Sequence, residues 1–258
     1  MPDRTFQVVD GYIHCGLSRY KPIEVVREMM AAGGVDRAVL VQHLGEFDNS
    51  YIEGVIRADP AHLIGIAMVD ENEPAAANAE LERLAASDAF VGVRIPGWTL
   101  KAAPGLVRRV SELGLIVMLY CREGTAEYLP ELRALLDARP DCRMMLTHLA
   151  NPVKPEEPGF AKHDAVFELA KHPGVQFQLS GMHMRTEYPY APLFPLIEQA
   201  VDAFGVDRIV WGSNYPPLGG VEEYAREARL MLEGGLPVPA AAIPAVAGGN
   251  ALRFYFGE

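Results

Sequence analysis

Phe6-Gln7-Val8-Val9-Asp10-Gly11-Tyr12-Ile13-His14 is a short apolar run that ends on polar side chains. The same profile returns at regular intervals, over Ala38–His43, Leu63–Val69, Phe90–Ile95, Leu115–Tyr120, Arg143–His148, Val175–Ser180 and Arg208–Ser213. Runs of this length, bounded by turn and polar residues, are strand signals. Amphipathic stretches lie between them. In Ile23-Glu24-Val25-Val26-Arg27-Glu28-Met29-Met30 the apolar residues fall three to four apart, and Gly33-Gly34 stops the helix. Helices are expected likewise over Leu106–Leu113, Tyr128–Ala138, Ala165–Lys171, Leu193–Phe204 and Glu222–Leu232. The Pro- and Ala-rich piece Pro237–Ala247 leads to a last helix around Asn250–Tyr255. Eight strand–helix repeats in 258 residues predict a single domain over residues 1–258, an α/β fold of the (β/α)8 TIM-barrel type, with an open doubly wound sheet as the alternative.

Half of the residues are hydrophobic, enough for one large core, and the net charge is −11. That charge argues against nucleic acid or an anionic membrane as partner, since both require clustered Lys and Arg. A small molecule is the expected partner, and a homo-oligomer is left open. No apolar run approaches the roughly 20 residues of a membrane span, and Met1-Pro2-Asp3-Arg4 opens into a strand without a signal-peptide profile. The expectation is a cytoplasmic protein. Cys15, Cys121 and Cys142 are too few and too scattered for a disulfide framework, so reduced thiols are the default.

In such barrels the chemistry sits where strands run into the following loops. The strand ends supply Tyr12 and His14, Gln42 and His43, Asp70, Arg94, Tyr120 with Cys121 and Arg122, His148, His183 with Arg185, and Asn214. A polar residue at the mouth of an apolar strand must be solvated or find a partner, so this clustering is not explained by core packing. The catalytic candidates are His14, His148 and Asn214. The imidazoles would donate to a substrate carbonyl or move protons, against the plainer alternative of satisfied polar residues. Substrate-binding candidates are Tyr12, His43, Arg94, Tyr120, Arg122, His183 and Arg185. Arg94 would hold a substrate carboxylate through two parallel hydrogen bonds, or pair with Asp70 or Asp10. Several arginines around one mouth favour an anionic ligand. Strand alternation puts Asp10 on the side of Tyr12, one layer deeper, where it would orient His148 or pair with Arg94. Glu46, Asp48 and Glu123 are the mouth carboxylates left to serve as base. Cys15 and Cys121 are candidate nucleophiles, though buried cysteines are more often small hydrophobes. His62, His163 and His172 are expected at the surface.

Six motifs in this order and spacing carry a resemblance: Val9-Asp10-x-x-x-His14, Gly92-Val93-Arg94, Leu146-Thr147-His148-Leu149-x-x-Pro152, Leu179-Ser180-Gly181, Arg208-Ile209-Val210-Trp211-Gly212-Ser213-x-Tyr215-Pro216 and Asn250-Ala251-Leu252-Arg253. Together they resemble the amidohydrolase superfamily, in the branch holding sugar lactonases and 2-pyrone-4,6-dicarboxylate lactonase. Asp48-Asn49-Ser50-Tyr51 resembles the dicarboxylate-lactonase side of it. The resemblance implies a site with a His-x-His pair on strand 1, histidines on strands 5 and 6 and an aspartate on strand 8. This chain keeps His14 and His148, with Tyr120 and Cys121 near the strand 5 position, and has Tyr12 and Asn214 where a first imidazole and a carboxylate are implied. Zinc or manganese therefore meets an incomplete ligand set, and no cofactor and no metal ligands are expected. The dicarboxylate lactonases are understood to work without metal, yet they use the strand 8 carboxylate as base, which Asn214 cannot replace. The expected function is hydrolysis of a lactone, or related cyclic ester, that bears a carboxylate. The alternatives are a decarboxylase, isomerase or other lyase on the same barrel, and a non-catalytic small-molecule-binding pseudoenzyme.

Overall fold

A computed structural model describes residues 4–153 and 160–258, so the expectation for Met1-Pro2-Asp3 lies outside the described residues. Eight strands follow the eight apolar runs: β1 Val9–Ile13, β2 Arg37–Val41, β3 Leu63–Ala67, β4 Phe90–Pro96, β5 Ile116–Tyr120, β6 Met144–Leu146, β7 Val175–Leu179 and β8 Ile209–Trp211. They pair in parallel and in sequence order. A parallel bridge between Ile13 and Tyr215 brings the end of β8 back to β1. The fold is a (β/α)8 barrel, and the open-sheet alternative is excluded.

The helices are α1 Ile23–Gly33, α2 Ser50–Ala58, α3 Pro74–Ala85, α4 Thr99–Ala102, α5 Pro104–Glu112, α6 Leu129–Ala138, α7 Phe194–Phe204 and α8 Val221–Leu232. Gly34, at φ 65°, ends α1, and its amide returns to the carbonyls of Met30 and Ala31. Two expectations change. The sixth repeat is a tight 3-10 helix over Ala161–Lys171 rather than an α-helix. The last helix begins before Asn250: residues 243–256 form one helical run containing wide π turns. No helix among the described residues is long and apolar enough to cross a membrane.

Burial divides into two layers. Val9, Tyr12, Val39, Val41, Ile64, Ile66, Ile116, Met118, Met145 and Val210 pack with Ala251, Phe254 and Tyr255 of the final helix in one cluster. A larger cluster joins the remaining strand residues to the surrounding helices. Layered branched and aliphatic side chains of this kind make such a barrel a packed core rather than a pore.

Strand β1 departs from simple alternation, because its pairing with β2 shifts register between Asp10 and Ile13. An irregularity of this kind re-aims the side chains around it. Tyr12 packs with the first cluster, whereas the Asp10 carboxylate accepts a hydrogen bond from the Tyr224 hydroxyl of α8 at 2.9 Å. It also accepts from the backbone amides of Tyr12 at 3.0 Å and Ser213 at 2.9 Å. Asp10 therefore stitches the β1–β8 seam, and the expectation that it orients His148 or pairs with Arg94 is corrected. Gly11 permits the seam. A Cβ there would stand 2.8 Å from both the Trp211 carbonyl oxygen and the Val210 side chain.

Candidate functional site

Strand ends and four loops enclose a cavity of about 210 Å3, lined by His14, Arg94, Tyr120, His148 and Asn214 together with Arg19, Tyr20, Leu44, Met184 and Pro217. The first five were legible as strand ends. The second five lie on loops that fold back over the mouth, and no local pattern marks them.

Arg94 is 6% exposed, and its Nη1 donates to the Gln42 carbonyl at 3.1 Å. Its Nε is buried without a partner. The guanidinium sits 4.9 Å from the centre of the Tyr120 ring and 5.8 Å from that of Tyr12. Neither Asp10 nor Asp70 pairs with it. Asp70 instead closes a local turn by accepting from the amide and side chain of Asn72. Among the described residues Arg94 has no carboxylate partner, an arrangement that burial makes costly unless an anion arrives.

His14 places Nδ1 2.6 Å from the Val41 carbonyl oxygen. A carbonyl accepts only, so Nδ1 carries the proton and Nε2 turns a lone pair outward. Burial, then Arg94, pushes the His14 pKa down to about 3. Burial pushes His148 well below 6.5, aided by Arg94 and His14. Both rings are neutral near pH 7. This favours the acceptor half of the expected His14 role over donation to a carbonyl. The Tyr20 ring stacks on His14 at 4.6 Å and 14°. His43 meets the edge of Tyr20 at 5.4 Å and stands outside the cavity lining.

Tyr12 is fully buried and packs against both imidazoles from outside the cavity lining. Its ring meets those of His14 and His148 edge-on at 5.1 and 4.5 Å, and its hydroxyl is buried without a partner. Burial pushes the phenol well above its ordinary range, so it stays a neutral donor. Asn214 adopts φ 61°, a left-handed conformation that asparagine tolerates. Its Nδ2 lies 3.5 Å from His183 Nε2.

His183 and Arg185 stand on the wall of a more open outer chamber of about 580 Å3, with Tyr188, Tyr190 and Arg226; Met184 borders both chambers. Arg185 donates to Asn151 Oδ1 at 3.1 Å and keeps a buried Nε without a partner. Arg122 is exposed and lines neither chamber. The proposed carboxylates also stay outside: Asp48 is exposed and accepts from the Ser50 amide, Glu46 accepts from the Asp48 amide, and Glu123 accepts from the Tyr128 hydroxyl. Burial pushes the Cys15 and Cys121 thiols up to about 12, which leaves no thiolate nucleophile at neutral pH. His163, expected at the surface, is 4% exposed and packs edge-on against Phe167.

The donor set does not fit a divalent metal. His14 and His148 line the cavity, but the flanking positions hold a neutral phenol and a neutral amide, and a guanidinium lines the same cavity. Among the described residues no three His, Cys, Asp or Glu side chains converge to hold an ion.

A model of the amidohydrolase family matches residues 11–257. An L-fucono-1,5-lactonase of Burkholderia ambifaria is 29% identical over 197 residues, which is 73% of this chain and 67% of that protein. Among solved structures, an amidohydrolase from Burkholderia multivorans with bound zinc superposes with a TM-score of 0.75 at 20% identity, over 97% of this chain and 99% of that one. A probable 2-pyrone-4,6-dicarboxylic acid hydrolase from Acinetobacter baumannii, with citric acid bound, superposes with a TM-score of 0.73 at 20% identity, over 98% and 100%. At that identity the two structures speak for the fold alone.

Proposed function

The chain belongs to the amidohydrolase family, and from that premise we propose that it is a lactonase opening a small, carboxylate-bearing lactone without a bound metal. The observation that carries this is Arg94, a buried guanidinium without a carboxylate partner among the described residues, set in the wall of a cavity that two neutral imidazoles also line. The lactonase relative supports the lactone-opening part of this reading. A volume of about 210 Å3 falls below the roughly 300–1,000 Å3 of drug-sized pockets and suits a single-ring molecule.

In this reading Arg94 holds the substrate carboxylate and fixes the ring. The partnerless hydroxyl of Tyr12, whose ring packs against both imidazoles, serves as a neutral donor to the developing oxyanion. Water adds to the carbonyl carbon while an imidazole Nε2 takes its proton. The ring C–O bond then breaks, and the departing alkoxide recovers that proton, giving an open-chain hydroxy acid. Three buried free thiols suit a reducing compartment, in keeping with a cytoplasmic enzyme.

Hydrolysis of a panel of carboxylated lactones and their methyl esters, after exhaustive dialysis against a chelator, tests the reading. The acids should open and the esters should not. Activity lost on chelation and restored by zinc would overturn the metal-free part, and equal opening of acids and esters would overturn the anion grip. The double variant Tyr12→His with Asn214→Asp should retain zinc that the parent does not.

A further inference from the structure

His148 is held by a chain of hydrogen bonds that reaches across the barrel. Gln178, on β7, donates from Nε2 to the Gly11 carbonyl at 2.9 Å. A carbonyl accepts only, so the orientation of the amide is set and Oε1 faces the other way. There the Ser180 hydroxyl stands 3.2 Å off and donates to it. With its single proton committed, Ser180 Oγ can only accept from its remaining neighbours, the His148 backbone amide at 3.2 Å and His148 Nδ1 at 2.9 Å. Every link has one permitted direction, beginning from a backbone carbonyl on β1.

We propose that Gln178 and Ser180 are positioning residues that hold His148 in the tautomer protonated on Nδ1, so that its Nε2 lone pair faces the cavity as a proton acceptor. Neither residue lines the cavity; both act through His148. His148 Nε2 makes no hydrogen bond to a described residue, and the side chain is 2% exposed at the cavity wall. The local backbone is shaped around this contact. His148, Leu149, Ala150 and Asn151 all have positive φ, between 49° and 58°. Side-chain-bearing residues rarely adopt that conformation, and asparagine tolerates it best. Gly181 adopts φ 62°, and a Cβ there would stand 2.7 Å from His148 Nδ1, where it would push the ring off Ser180. The relay supplies an acceptor that Asn214, an amide, cannot provide.

The catalytic meaning of this relay rests on the lactonase reading, but the tautomer can be read without substrate. Long-range 1H–15N correlation on the intact protein labelled with 15N-histidine should show His148 neutral and protonated on Nδ1 near pH 7. Ser180→Ala should admit the Nε2-protonated form, and Ser180→Thr, which keeps the hydroxyl, should preserve the parent pattern. A parent ring protonated on Nε2, or a Ser180→Ala ring unchanged from the parent, would overturn the proposal. For a lactone acid that the parent opens, Ser180→Ala should lower kcat about tenfold with KM within about twofold, the mark of lost proton transfer rather than lost binding. A parent inert toward every lactone would defeat the functional reading and leave the tautomer result to decide the relay.

Discussion

Asp10 and Arg94 are both buried charged residues on barrel strands, at 0% and 6% exposure, and the barrel treats them in opposite ways. Asp10 accepts three hydrogen bonds, from the Tyr12 and Ser213 amides and the Tyr224 hydroxyl, so its lone pairs are met within the protein. Arg94 donates one hydrogen bond to a carbonyl and otherwise lies against two aromatic faces. A satisfied buried charge ties elements together. An unsatisfied one at a cavity wall reserves its remaining bonds for a ligand, which is why Asp10 belongs to the fold and Arg94 to the proposed site.

The largest expected effect breaks the satisfied member of this pair. Asp10→Ala strands two buried amides and a hydroxyl, each costing about 1–3 kcal/mol when left unpaired, so unfolding in urea should show a loss on the order of 3–5 kcal/mol. Arg94→Met, which removes a charge with no carboxylate partner and keeps much of the side-chain volume, should leave stability unchanged or raised. A comparable loss at both positions would erase the distinction.

Binding should show the reverse order. Arg94→Ala should weaken a carboxylated lactone by roughly 2–4 kcal/mol in calorimetry, the range for removing one partner of a buried charge pair. Arg94→Lys should recover only part, because the two-pronged geometry is lost. An Arg94→Ala protein that binds like the parent would refute the anion grip.

A pH series sharpens the contrast from the other side. Burial pushes the Asp10 carboxyl up from 3.8 to about 6. Between those values the folded chain keeps a proton that the unfolded chain gives up. The stability associated with Asp10 is therefore complete below pH 3.8 and is lost as pH rises through 6. Asparagine has no proton to lose. The penalty for Asp10→Asn should shrink by about 2 kcal/mol between pH 4 and pH 7, the part of the shift from 3.8 to about 6 that this range spans at about 1.4 kcal/mol per pKa unit. The buried histidines, held below 6.5, act in the opposite sense, and the difference between parent and variant cancels them. A penalty constant across this range would show that Asp10 is ionised as readily in the folded chain as in the unfolded one.

These two residues also mark what the sequence could convey. Strand and helix periodicity, strand number and the barrel were legible because each repeat carries its own hydrophobic pattern. His14, Arg94, Tyr120, His148 and Asn214 were legible as strand ends, and the structure gathers them in one cavity. The outward turn of Asp10 was not, because it depends on a register shift against β2 and on the space that Gly11 leaves at the seam. Tyr20 and Met184 were missed because their positions depend on how two loops fold over the mouth. Gln178 carries no local signal and Ser180 stands out only within the Leu179-Ser180-Gly181 motif, since the chain they form with His148 joins three strands and appears only in three dimensions.

Arg122 provides the smallest effect and the control for Arg94. Both were candidates for the same task on the same grounds, an arginine at or just past a strand end. Arg94 ends up inside, against Gln42 and two aromatic rings, whereas Arg122 follows the buried Cys121 into solvent and lines neither chamber. An exposed guanidinium interacts with a bound anion through high-dielectric water and salt, which leaves little of its attraction at that distance. Arg122→Ala should therefore change the dissociation constant of a carboxylated lactone by less than about twofold at physiological ionic strength, as expected of a surface substitution away from a site. Its residual effect should fade further as salt is raised, while the loss in Arg94→Ala persists. If Arg122→Ala instead weakened binding as much as Arg94→Ala, the loop after β5 would have to close over the ligand, and the anion would be held from the rim rather than from the cavity wall.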